Sequence, residues 1–415
     1  MNKKKHFHTH PIRETARRSL KEGLDRFALY NGTVFTPWAS FYGGVVVDRG
    51  IIKQIFAGDL PAGIKENGYI LLDCHNENII PGFVDIHVHG AKGFDFTLAS
   101  EEEIKKAVLF HSAAGGTTSL VPTLVSAPLA SLKQAAKRIN RANNSLKPGN
   151  PQILGVHLEG PFLNPWYKGA HSEEHLRNPE PELIKDLTAS IGDLLKLVTL
   201  SPELPHALEA IAYLRKQNIA AALGHSGAGV EEVQKAVACG LSHAVHTYSA
   251  MRRFHHRSPG VLGAVLTTDA LTAEIIADGV HTHPAAVDLF FRAKPKDKAV
   301  LVTDALGVCG LSDNECFLGD KKIISREGKA FLENGNIAGS LLTMNRALAS
   351  AVKMSALSME EVLPAATINP ARVIGADERK GSLEEGKDAD IALLDQHYNT
   401  LLTICRGIPL TKEEL

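Results

Sequence analysis

The chain has 415 residues, with 45 basic and 46 acidic side chains and a net charge of −1. That balance gives no global field to draw in nucleic acid or an acidic membrane, so an anionic ligand must be held by local groups. The length suits one large barrel plus a smaller module, and a hydrophobic share of 44% is ordinary for a globular protein.

The sequence contains no apolar run of about 18 residues, so no transmembrane helix is expected. Cys74, Cys239, Cys309, Cys316 and Cys405 are scattered, with no CxxC pair. Such spacing suits a reducing, cytoplasmic setting rather than a disulfide framework. Residues 1–27 read as an N-terminal extension. It is basic and lacks the apolar core of a secretory signal. Its His6, His8 and His10 could bind metal adventitiously, but a solvated arm is the plainer reading.

Residues 28–79 read as short β segments broken by turns. Ala28–Thr36 is one, with Asn31-Gly32 as a turn signal. Gly44–Asp48 and Ile51–Ala57 suggest a hairpin around Arg49-Gly50, and Tyr69–Asp73 is a further strand. A similar pattern returns at Ala389–Leu394 and Leu401–Arg406. One small β domain assembled from 28–79 and 377–415 is the simplest account.

Between them, residues 80–376 alternate. Apolar β runs fall near 82–89, 119–125, 152–158, 195–200, 219–224, 243–248, 272–277 and 298–303. Helical stretches separate them, such as Glu101–Ala114, Ala127–Asn143, Pro205–Gln217, Val230–Cys239 and Ala285–Ala293. Gly115-Gly116 reads as a helix C-terminal turn. This count of strands and helices points to a (β/α)8 TIM barrel. The expected fold is therefore α/β, a TIM barrel with a small β-sandwich domain built from both chain termini. After the eighth run, Gly307–Gly335 is a polar insertion that suits a β-hairpin. Helices are expected over Ser340–Ala356, opened by Ala338-Gly339, and over Met359–Ala366.

In such barrels the chemistry sits at the C-terminal ends of the strands. These ends are rich in metal-ligand side chains. The first carries His87 and His89, two apart and so on one face of a strand. The third ends in His157-Leu-Glu159 and the fifth in His225. The sixth carries His243 and His246, the seventh Asp278 and His281, and the eighth Asp304. Imidazoles with a carboxylate suit a divalent cation, with Zn²⁺ first and Fe²⁺, Mn²⁺ or Co²⁺ as the others. The best ligand set is Glu159, His225 and His246. His87 and His89 could complete a second site with Glu159 bridging. Asp304 is the natural proton carrier. His157 and His243 read as supporting or core histidines, and Cys309 and Cys316 as structural thiols.

Several segments carry a family resemblance. They are PGFVDIHVHG, HLEGPF followed by KGAH, LGHSGA, HAVHTYSAM with HHRSPG, ADGVHTHP, LVTDALG, AGSLLTMNRA, and NPAR followed by KGSLEEGKDADI. Over roughly Ala28 to Gly407 the chain resembles the amidohydrolase superfamily, and within it the N-acetylglucosamine-6-phosphate deacetylases. HLEGPF with KGAH is the most specific part. The resemblance implies metal-dependent hydrolysis of the acetamide of N-acetylglucosamine 6-phosphate, in amino-sugar catabolism. By position it implies Glu159, His225 and His246 as metal ligands, with His87 and His89 as a pair for a second ion. It implies Asp304 as acid/base and His171 at the acetamido carbonyl. Ala250 and Met251 would lie near the phosphate, and Arg257 and His281 would bind substrate. A homodimer is implied too, in which Arg257 serves the neighbouring subunit.

One departure is plain. The family usually has Asn where this chain has Ser249, and a hydroxyl offers one donor where an amide offers two. N-acetylgalactosamine 6-phosphate, or a cyclic amide, therefore stays open as substrate. The superfamily's strand-four lysine is also missing, since Lys196 comes before that strand's end. A scaffold that has lost its chemistry would have shed its ligands, and this chain keeps them.

Overall fold

The computed structural model describes Ile12 and residues 26–410. The N-terminal arm with His6, His8 and His10 lies outside the described residues. Eight parallel strands form the barrel: Phe83–Val88, Thr117–Val125, Val156–Phe162, Leu195–Leu200, Ala220–Leu223, His243–Ala244, Thr272–Ile275 and Ala299–Leu301. The eighth strand returns to the first through backbone bonds. Asp304 N–H donates to the His87 carbonyl at 2.8 Å, and His89 N–H to that of Ala305 at 2.8 Å. Asp85, fully buried, adds a side-chain tie by accepting from the Thr303 hydroxyl at 2.6 Å.

A helix follows each strand. Five lie where the apolar periodicity predicts them, within two residues or so. The first is closed at both ends by its own sequence. Ser100 and Glu103 form a capping box, and Gly116 terminates it at φ 75°. Pro181–Ile191 and Gly260–Thr267 are additional to those expectations. The latter, GVLGAVLT, has no polar face to betray a helical period.

The small domain draws eight strands from both ends of the described chain. Asn78–Pro81 pairs with Ile391–Leu394, bringing the two ends together. One apolar cluster runs through Leu29, Val45, Ile52, Ile391 and Leu402, and a second gathers Ala28, Val46, Phe56, Ile64 and Tyr69. Three local expectations need correction. Asn31-Gly32 makes no turn; it is a bulge within the continuous strand Arg26–Phe35. Residues 307–335 form not a hairpin but a three-stranded antiparallel sheet, Glu315–Leu318, Lys321–Arg326 and Lys329–Leu332. Ala338-Gly339-Ser340 does not open a helix, because Ser340 pairs beside Ala305 and the helix starts at Met344.

The KGSLEEGKDADI segment proves structural. Lys380 is buried between Asp388 at 2.8 Å and Asp390 at 2.6 Å. Asp390 also accepts the Gly82 N–H through its carbonyl, just ahead of the first barrel strand.

Gly90 follows the histidine pair and owes its place to a close approach. A Cβ there would stand 1.9 Å from the Phe94 carbonyl oxygen. Gly90→Ala should therefore destabilise the fold by about 1–3 kcal/mol, read as a lowered midpoint in chemical denaturation.

Candidate metal centre and active site

The centre is built on Glu159, midway along the third strand and only 4% exposed. Five imidazoles face its two oxygens. His246 Nε2 lies 2.9 Å from Oε1, His225 Nε2 3.1 Å and His87 Nε2 3.4 Å. His171 Nε2 stands 3.2 Å from Oε2 and His89 Nε2 3.3 Å. Asp304 lies across from it, 3.2 Å from His89 Nε2 and 3.7 Å from His87 Nε2. Of the strand-end groups, His87, His89, Glu159, His225, His246 and Asp304 are thus brought to one point, while His157, His243 and Asp278 are not among them.

Local backbone geometry aims these groups. His225, His246 and Asp304 have φ of 49°, 25° and 47°. Side-chain-bearing residues seldom adopt that region, and surrounding structure must hold them there. Ser340 does so for Asp304, donating its N–H to the Asp304 carbonyl at 2.8 Å.

The hydrogen bonds settle which ring nitrogen faces inward. His225 Nδ1 lies 2.8 Å from the Tyr167 carbonyl oxygen, which can only accept. Nδ1 therefore carries the proton, and burial pushes the ring's pKa down to about 4. Its bare Nε2 then confronts Glu159 Oε1, with His246 Nε2 3.1 Å away. Lone pairs converging like this repel unless a cation sits among them. Ligand atoms around a tetrahedral zinc stand roughly 3.3 Å apart, close to these spacings. His87 Nε2 is buried and makes no hydrogen bond of its own. The residues therefore fit a metal ion.

Charges follow the same logic. Burial opposes ionisation of Glu159, but the facing His87 and His171 outweigh it and hold its pKa well below the usual carboxylate range. Burial likewise opposes charge on His89, yet Asp304 and Glu159 raise its pKa to about 9. Asp304 is depressed despite burial, through its contact with His89 and the charge of His87.

His171 is oriented in the opposite sense to His225. Its Nδ1 accepts from the Ser126 backbone N–H at 3.2 Å, so Nε2 carries the proton toward the cavity. The loop bearing it is tied to the insertion, where the Ser172 hydroxyl donates to Asp320 at 2.6 Å. His281 Nδ1 donates to Asp278 at 2.7 Å. The Asp278 and Asp304 carboxylates raise its pKa against the effect of burial. Ser249, Ala250 and Met251 form a turn after the sixth strand, and Met251 bridges to Ser226 beside His225. Arg257 is not brought to the centre. It lies exposed, with its guanidinium 3.0 Å from His256 Nε2.

His157 sits between the Thr123 and Thr199 hydroxyls, and Cys309 points its thiol at the Leu341 and Leu342 carbonyls. Lys196 is second in its strand, at the far end from Glu159. Sequence reasoning missed Ser126, Asp85 and Glu274. For Glu274 a signal existed: a lone carboxylate inside the apolar run Thr-Ala-Glu-Ile-Ile.

The model of the Amidohydrolase family matches residues 78–410. The chain belongs to the amidohydrolase family. Amidohydrolases are metal-dependent, and the histidine–carboxylate groups around Glu159 could hold such an ion. The chain is 36% identical to the N-acetylglucosamine-6-phosphate deacetylase of Bacillus subtilis over 332 residues, 79% of this chain and 83% of that one. It is 37% identical to the N-acetylgalactosamine-6-phosphate deacetylase of Escherichia coli O157:H7 over 319 residues, 77% and 84% of the two chains. A variant of the Mycobacterium smegmatis N-acetyl-D-glucosamine-6-phosphate deacetylase, solved in complex with N-acetyl-D-glucosamine-6-phosphate, superposes with a TM-score of 0.86 at 29% identity. It covers 93% of this chain and 100% of that one. Among the described residues of this amidohydrolase, no helix is long and apolar enough to cross a membrane.

A cation bound only by the folded site stabilises it by mass action. Chelation should lower the melting temperature and re-addition of a divalent cation should restore it, as read by differential scanning calorimetry.

Proposed function

We propose that the protein hydrolyses the acetamide of N-acetylglucosamine 6-phosphate to glucosamine 6-phosphate and acetate, in amino-sugar catabolism. The observation that carries this is the buried Glu159 carboxylate ringed by five imidazoles with Asp304 opposite. In this reading Glu159, His225 and His246 hold the primary ion. His87 and His89 would hold a second one, together with Glu159. Zinc is the first choice by donor set, and iron, manganese or cobalt would also suit it. When bound, such an ion supplies Lewis acidity, making water easier to deprotonate and a carbonyl more electrophilic.

The chain's own groups do the rest. His171 presents a proton at Nε2, suited to hydrogen-bond the acetamido oxygen as negative charge develops there. Asp304, whose carboxylate faces His89 Nε2 at 3.2 Å and His87 Nε2 at 3.7 Å, accepts a proton from the attacking water. It then delivers that proton to the leaving amine. His281 faces the substrate, and the 249–251 turn lies near the phosphate. Arg257 binds that phosphate. Because its side chain is exposed within this chain, it suits service to the neighbouring subunit of a homodimer. The scattered cysteines suit a cytoplasmic enzyme.

A second substrate is favoured by one residue. Ser249 replaces the usual Asn, and the relative from Escherichia coli acts on the galacto epimer by name. Comparing kcat/KM on the two epimeric sugar phosphates separates the readings. Release of acetate from neither, by metal-loaded protein, would overturn both.

Asp304→Asn should lower kcat by about 10²–10⁴-fold while metal content, read by elemental analysis, is retained. Arg257→Ala should raise KM by about 10- to 100-fold with kcat little changed, because it acts far from the reacting carbon.

A further inference from the structure

Glu274 lies on the seventh barrel strand with 0% exposure, and the mechanism above gives it no task. Its Oε2 accepts from His87 Nδ1 at 2.8 Å and from the His246 backbone N–H at 3.1 Å. Its Oε1 lies 2.9 Å from His243 Nε2, and His243 Nδ1 in turn lies 2.7 Å from the Thr272 hydroxyl. One carboxylate thus joins the first, sixth and seventh strands beneath the metal centre. An ionised carboxylate in a barrel interior costs several kcal/mol unless it is well paired. Apolar side chains of similar volume would fill the same space without that cost.

We infer that Glu274 is a positioning residue for the second metal position, acting through His87. The inference rests on the reading of His87 and His89 as the holders of a second ion. With the Nδ1 proton of His87 committed to Glu274, only Nε2 is left to bind. That nitrogen is buried, has no hydrogen-bond partner, and lies 3.4 Å from Glu159 Oε1 and 3.7 Å from Asp304 Oδ1. The contrast with its neighbour is informative. His89 Nδ1 is buried without a hydrogen-bond partner, so His87 is the member of the pair whose tautomer and tilt are fixed. A carboxylate behind a ligating imidazole also makes that imidazole a stronger donor. By holding the His246 N–H as well, Glu274 keeps the sixth-strand end at its left-handed φ of 25°. It therefore spans the two proposed metal positions.

The test is zinc titration of metal-stripped protein by calorimetry, with Glu274→Gln and His87→Asn beside the unaltered chain. The unaltered chain should bind two equivalents. Glu274→Gln should keep the first and bind the second about 10- to 100-fold more weakly, with circular dichroism unchanged. His87→Asn should lose the second. If His87→Asn loses it while folded Glu274→Gln binds both at unaltered affinity, the inference fails and the two-ion reading stands. One equivalent in the unaltered chain overturns both. If Glu274→Gln does not fold, nitrogen-15 spectra of the zinc-loaded unaltered protein decide, with His87 assigned by its loss in His87→Asn. They should show the His87 proton on Nδ1 and the metal on Nε2. Coordination through Nδ1 overturns the inference.

Discussion

Glu159 is the group on which the rest depends. A carboxylate buried this deeply is stable only against positive charge or strong donors, and here it meets imidazoles from the first, fifth and sixth strand ends and from the loop after the third. No two of those segments are close in sequence. His171 lies only 12 positions from Glu159, but the full ring of five imidazoles exists only when the barrel is closed. Closure in turn runs through the same region, because the backbone bonds joining the eighth strand to the first involve His87, His89, Asp304 and Ala305. Site and fold share these contacts.

The supporting structure does two kinds of work. It holds backbone where side-chain-bearing residues seldom go, at His225, His246 and Asp304. It also chooses a tautomer for three of the five rings by what it places on the outward nitrogen. Tyr167 offers a carbonyl to His225, Ser126 an N–H to His171, and Glu274 a carboxylate to His87. Those three choices make one ring a proton donor into the cavity and two others lone-pair donors. Metal binding and carbonyl recognition can then coexist within a few ångströms.

Much of the fold was legible, for a definite reason. Parallel barrel strands are covered on both faces, so they appear as continuous apolar runs. Boundaries were harder to read. The sixth strand was expected over 243–248 but stops at Ala244, because the chain turns at His246 to aim its ring. The third was expected over 152–158. Instead Gln152–Ile153 pairs beside the second strand and a separate strand carries Glu159. Gly260–Thr267 was missed because a helix without a polar face has no period to read.

The sequence by itself determined which ligand-type side chains stand at the strand ends. Strand periodicity and the barrel's polarity put His87, His89, Glu159, His225, His246 and Asp304 on one rim. Only the tertiary structure decided which nitrogen of each ring faces inward. It also showed that Arg257 stays outside the centre within its own chain, and that Glu274 and Ser126 back the histidines. The physical reason is that a tautomer is set by the hydrogen-bond partner, and these partners lie far away in the sequence. His87 and Glu274 are 187 positions apart, and periodicity along one strand carries no information about such a pair.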